Sequence, residues 1–233
     1  MGPINFADLI LWYVAFIFSV TAHEASHALA AMKGGDLTAY LGGQVTLNPF
    51  PHIKRSPVGT VVVPLISFIW GGWMIGWASA PYSPAWADSH PRRAAWMAAA
   101  GPAANLVIAS TAFVLIKIGL SLDVFSAPLR VSISTLVAAE PGVWQGAAKL
   151  LSILLMLNLI LFIFNLFPFP PLDGSSVITL LMSDEMAHKF RQFIYQPAFS
   201  FLGLVLAWKF FGYIFGDVFS LVLQLLHPAS RYF

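Results

Sequence analysis

FADLILWYVAFIFSVTAHEASHALA, residues 6–30, reads as one continuous helix, apolar from Phe6 to Val20 and then bearing His23, Glu24 and His27. The apolar run is long enough to form most of a bilayer crossing, so these ionisable residues would lie inside the membrane, where such groups are costly and mark function. Two imidazoles four residues apart stand one turn apart on one helix face. That spacing suits two bonds to a single zinc ion, and the glutamate beside the first can reach an activated water as general base. Composition alone would produce an H-E-x-x-H match in only about 0.2% of such chains, so chance is a poor explanation. The competing reading, a helix bundle that merely satisfies the three side chains, is weakened by the cost of burying them in lipid.

The whole chain supports the membrane reading. Of 233 residues, 58% are hydrophobic and 9% charged, outside the range of soluble domains. Twenty Phe and eight Trp suit lipid-facing and interfacial positions. The net charge of +2, without a basic stripe, argues against nucleic acid as a partner. With no cysteine, disulfides, thiolate ligands and a cysteine nucleophile are excluded, so a zinc site must be built from histidine and carboxylate. The first apolar segment has no basic stretch before it and carries the candidate ligands, so it is read as retained rather than cleaved. A single integral-membrane domain over 1–233 is expected, with a core at 6–180 and C-terminal membrane helices at 197–227.

The first helix should end at Gly34 and Gly35. Lys33, Lys54 and Arg55 follow, and the positive-inside rule turns that end to the cytoplasm, with the histidines roughly 10–15 Å below the surface. Alternating apolar residues from Leu37 to Leu47 around Gly42 and Gly43 predict a short β-hairpin, either a plain turn or an edge that pairs with an extended substrate. Segment Val58 to Trp77 is apolar but holds Pro64, Gly71, Gly72 and Gly76. A re-entrant path is preferred to a crossing because it keeps Arg92 and Arg93 on the side of Lys54 and Arg55. An alanine-rich helix from Arg93 to Leu120 should pack closely on the first. A short amphipathic helix is expected near Leu129 to Ala139, a crossing from Leu150 to Phe167, and another from Pro197 to Phe211 that breaks at Gly212 and Gly216.

Two histidines leave a catalytic zinc short of a protein ligand. Asp173, in NLFPFPPLDG at 165–174, emerges at the same end of the bundle, and Pro168, Pro170 and Pro171 forbid a regular helix there. Together the segments describe an all-α polytopic membrane protein. Its parts are a core of three transmembrane helices carrying the zinc site, a short membrane-associated β-hairpin, a re-entrant segment and C-terminal helices. Asn105 offers a side-chain amide that could donate to an oxyanion or make an interhelical hydrogen bond. His52 is read as a loop histidine near the membrane surface, and His90, His188 and His227 as polar or interfacial residues in water.

Through HEASH at 23–27, GPAAN at 101–105 and NLFPFPPLDG at 165–174, in that order, the chain resembles the site-2 protease family, intramembrane zinc metalloproteases. It looks most like the compact members without a PDZ domain, a CBS domain or an extra leading helix. The resemblance implies that His23, His27 and Asp173 ligate one zinc ion, that Glu24 activates water, and that Asn105 sits near the scissile carbonyl. It implies hydrolysis of peptide bonds in or near transmembrane segments of membrane-protein substrates, in a prokaryotic cell membrane with the site toward the cytoplasm. A metal-ion transporter is the alternative from another class, and a non-catalytic helix-binding relative a third. The intact Glu24 argues against the last, and the nearly apolar outer halves of the helices argue against a permeation path.

Overall fold

A computed structural model of the chain describes residues 5–194 and 197–228. Helix α1 (Phe6–Gly34) begins where the Asn5 side chain accepts from the amides of Ala7 and Asp8. It ends as expected: Gly35, at a φ of 100°, adopts the left-handed turn that lets its amide bond back to Met32.

The expected hairpin does not form. Residues 37–47 hold a one-turn helix, α2 (Thr38–Leu41), and turns, and no strand occurs among the described residues. Asp36 decides this locally: its carboxylate accepts from both the amide and the hydroxyl of Thr38, which starts a helical turn. The Gln44 amide then closes back on the Ala39 carbonyl at 3.0 Å, so the alternating apolar residues have no facing strand to pair with.

Helix α3 (Pro49–Arg55) precedes a π-helical turn (Val58–Val62) that continues into α4 (Val63–Gly71). The two apolar pieces meet at a bend of 113°. After Gly72 the chain doubles back, and the Trp77 amide donates to the Gly59 carbonyl at 3.0 Å. A side chain at Gly59 would stand 2.3 Å from the Trp77 carbonyl, so the return needs glycine. Segment 58–77 therefore starts and finishes at one place.

A short α5 (Pro84–Ser89) leads to α6 (Pro91–Ser121), and Arg93 at its start donates to the Gly34 carbonyl at the end of α1, 3.1 Å away. These two helices are thus antiparallel, and α6 approaches closely where Gly101 faces the His23 and His27 rings of α1. The amphipathic helix expected near 129–139 is absent. Ser126 and Ala138 pair main chain to main chain instead, both bonds at 2.9 Å, around a loop containing Pro128. Helix α7 (Val143–Asn165) starts beside the start of α1, where Lys149 pairs with Asp8 at 2.5 Å, and so runs parallel to it. Beyond the proline-rich turn come α8 (Gly174–Val177), a 3-10 turn (Ile178–Leu181), α9 (Asp184–Ile194) and α10 (Pro197–Leu226).

Helix α10 runs unbroken through Gly212 and Gly216. In a helix whose hydrogen bonds are its best alternative to lipid, two glycines weaken it without stopping it. Four described helices are long and apolar enough to cross a bilayer: α1, α6, α7 and residues Phe199–Leu226 of α10. The expected core of three transmembrane helices carrying the zinc site is not what the fold supports: four described helices qualify as spans, and Asp173 lies on the turn beyond α7, in the stretch its prolines keep from being helical. One apolar cluster, including Phe16, Phe68, Met74 and Leu157, fastens α4 to α1 and α7; a second, including Ile116, Met156 and Leu223, fastens α10 to α6 and α7.

Candidate metal centre

His23 and His27 lie on the face of α1 that meets α6, and both are buried. Their Nε2 atoms are 3.0 Å apart. Asp173 reaches them from the turn after α7: its Oδ2 lies 3.1 Å from His23 Nε2 and 3.3 Å from His27 Nε2. The three prolines hold that turn out of the helix, and Gly174 tightens it, since a side chain there would stand 2.3 Å from the carbonyls of Leu166 and Phe167.

Each imidazole is held from behind through its other nitrogen. His27 Nδ1 donates to the Met97 carbonyl at 2.7 Å, and His23 Nδ1 donates to Asn105 Oδ1 at 2.5 Å. As neutral rings they spend their hydrogens there, and the two Nε2 atoms then turn lone pairs toward Asp173, whose Oδ2 is buried with no hydrogen-bond partner. Three electron-pair donors so close repel one another unless a cation stands between them. Donors bound at about 2.0–2.1 Å around a tetrahedral zinc stand ~3.3–3.4 Å apart, close to the spacing here. This trio is the only group of three or more candidate ligand side chains found among the described residues.

Space for an ion is provided by α6. A Cβ on Gly101 would stand 2.4 Å from His27 Nε2 and 2.6 Å from His23 Nε2, so this residue leaves open the volume onto which both ligand atoms face. Glu24 is buried beside His23 on the same helix. Asn105 is fully buried, and its NH2 group donates to Asn158 Oδ1 at 2.8 Å and to the Ser19 carbonyl at 3.4 Å rather than being open to a substrate.

The remaining histidines do not join the group. His52 differs from expectation in being buried, 3.1 Å from the Thr46 carbonyl through Nε2, and His227 is likewise buried, with Nε2 2.8 Å from the Leu136 carbonyl. Sequence reasoning missed the Met97 carbonyl, which has no side-chain signature, and saw Gly101 only as a small residue at the head of GPAAN. It passed over Asn158, although an amide in the middle of an apolar span is itself a signal.

A metal-ready trio of two histidines and an aspartate, set among bilayer-length helices with a glutamate next to the first histidine, defines a membrane metallopeptidase. The family model of peptidase family M50 matches residues 11–209. The chain is 33% identical over 180 residues, 77% of its own length and 72% of the relative's, to the Bacillus subtilis (strain 168) protein named "Putative zinc metalloprotease YwhC". It is 28% identical over 226 residues to Rip2 of Mycobacterium tuberculosis (strain ATCC 25618 / H37Rv), covering 94% of this chain and 76% of Rip2. Rip2 of Mycolicibacterium smegmatis (strain ATCC 700084 / mc(2)155) is 28% identical over 187 residues, 78% of this chain and 62% of that protein. No solved structure matches. The chain belongs to peptidase family M50, the site-2 protease family, and is a metalloprotease of the membrane.

Proposed function

We propose that this protein hydrolyses peptide bonds in or near the transmembrane segments of membrane proteins, using one zinc ion held by His23, His27 and Asp173. The observation that carries the reading is the convergence of His23 Nε2, His27 Nε2 and Asp173 Oδ2 at 3.0–3.3 Å, within reach of a single ion. The zinc named for the relatives is the ion such a donor set suits. Zinc held there would supply a Lewis acid for the scissile carbonyl and for the attacking water. Glu24 takes the proton from the attacking water and returns it to the leaving amine. His23 and His27 remain neutral donors throughout, and Asn105 serves by holding the His23 ring.

Depth supports an intramembrane reaction. His27 precedes Lys33 by six residues, ~9 Å along a helix. Arg93 bonds the same helix end, and segment 58–77 returns to its start, so Lys33, Lys54, Arg55 and Arg93 gather at one end of the bundle. By the positive-inside rule that end faces the cytoplasm, and segment 58–77 re-enters rather than crosses. A helical substrate must unwind before a carbonyl can reach the site, which favours substrates with helix-weakening residues.

The test is Glu24→Gln in detergent-purified full chain. Zinc content should stay at parental level while cleavage of a transmembrane peptide falls below detection. Undiminished cleavage would overturn the reading, as would zinc-dependent metal flux in proteoliposomes carried equally by parent and variant.

A further inference from the structure

Asn158 lies on α7, fully buried, and belongs to none of the three sequence motifs. Its Nδ2 stands 2.8 Å from the Leu154 carbonyl. A carbonyl only accepts, so the nitrogen of the amide must occupy that side. A second contact demands the same orientation: the Ser19 hydroxyl gives its hydrogen to the Ala15 carbonyl at 2.7 Å, so its oxygen must accept from Asn158 Nδ2, 2.8 Å away. Two main-chain carbonyls on two helices thus fix which way Asn158 faces.

The orientation propagates. With its nitrogen so placed, Asn158 presents Oδ1 to Asn105, whose NH2 must then point toward it at 2.8 Å. The Ser19 carbonyl, 3.4 Å from the same nitrogen, agrees. Asn105 is left with only its oxygen facing His23, so His23 must carry its hydrogen on Nδ1 and keep Nε2 bare toward His27 and Asp173. A reversed Asn105 amide would set two N–H groups facing each other at Asn158 and place a hydrogen on His23 Nε2, in the space the ion needs. His27 receives the same instruction in one step, from the Met97 carbonyl.

We propose that Asn158 is a positioning residue of the metal centre: anchored on the Leu154 and Ala15 carbonyls, it sets the tautomer of His23 through Asn105. The proposal rests on the reading of His23, His27 and Asp173 as a zinc site, and it links the three helices α1, α6 and α7 through one polarised hydrogen-bond chain.

The experiment uses the full chain in detergent. Nitrogen-15 NMR of histidine-labelled, metal-free protein, with His23 assigned by its loss in His23→Gln, should show the neutral His23 ring protonated on Nδ1 with Nε2 bare. In Asn158→Leu, which has no amide to orient, His23 should populate both tautomers, and zinc affinity measured by chelator competition should fall by about 10–100-fold. On an Asn105→Ala background the same substitution should change zinc affinity by less than about threefold, because the route to His23 is already cut. A neutral His23 in the parent with its hydrogen on Nε2 and none on Nδ1 overturns the proposal, as does parental zinc affinity in Asn158→Leu, or an undiminished effect of it on the Asn105→Ala background. Should Asn158→Leu fail to fold, the parental tautomer decides. A parent that binds no zinc would sink the zinc reading instead, while the tautomer measurement still reports on the relay.

Discussion

Gly101 faces His27 so closely that a Cβ added to it would stand 2.4 Å from the imidazole Nε2, nearer than two atoms can approach without a bond. The residue keeps open the volume between the ligand atoms of α1 and the wall of α6. Gly101→Ala should therefore abolish stoichiometric zinc binding and cleavage. Because one methyl group forced into a packed contact costs about 1–3 kcal/mol, a lower melting temperature should accompany the loss. Elemental analysis of the purified variant checks it, and full zinc occupancy would refute this role for Gly101.

Metal removal should destabilise the fold around the trio. A ligand that binds only the folded state at 100 times its Kd contributes about 2.7 kcal/mol, and zinc held by His23, His27 and Asp173 is such a ligand. Chelation should lower the melting temperature of the parent and restoring zinc should raise it. Asp173→Ala should be indifferent to both treatments.

Gly203 on α10 supports the turn that carries Asp173. A side chain there would stand 2.2 Å from the Pro170 carbonyl and 3.0 Å from Phe169 Cβ, so helix and turn are packed backbone to backbone. Gly203→Val should push the turn away from the histidines. A displacement of about 1 Å can cost on the order of 10²-fold in turnover, and that loss is expected with helical content unchanged by circular dichroism. Parental turnover would show that the C-terminal helix does not hold the site.

Asp36 ties the end of α1 to the loop before α5, accepting from Thr38 through one oxygen and from the Ser83 amide through the other at 2.7 Å. Burial pushes its carboxyl upward, but the bonds from the Thr38 hydroxyl and from the Ser83 and Thr38 amides outweigh that and hold its pKa below the ordinary value. A depressed folded-state pKa means that the stabilisation is fully present above the unfolded value of about 3.9 and disappears as pH falls through the lower folded value. Asp36→Asn should cost about 1–3 kcal/mol near neutral pH, with the gap to the parent closing as the pH falls below the ordinary carboxylate range. Thermal unfolding across that range is the measurement, and a gap that persists in acid would mean the charge is not what the loop uses.

Much of the fold was legible because its signals are local. The apolar run after Phe6, the glycine pair after Lys33 and the alanines of α6 each act through a few neighbouring residues, and the helices end within a few residues of where those signals put them. The hairpin expected at 37–47 failed for the same kind of reason: alternation is a weak signal without a partner strand, and one carboxylate at Asp36 started a helical turn instead. The break expected at Gly212 and Gly216 failed because glycine is judged against water, whereas a helix among apolar neighbours has no better partner for its amides.

Taken alone, the order of residues determined the spacing of His23 and His27 on one helix face, the apolar environment around them and the need for a carboxylate from elsewhere in a chain without cysteine, since helix geometry and composition are properties of short stretches. Tertiary structure decided the rest. It brought Asp173 across 146 positions of chain (173 minus 27) to His27, emptied the space in front of Gly101, and turned Asn105 toward His23 rather than toward a substrate. Those outcomes depend on the direction in which polar groups point once three helices are packed, and direction in a buried hydrogen-bond chain is set jointly by all its members.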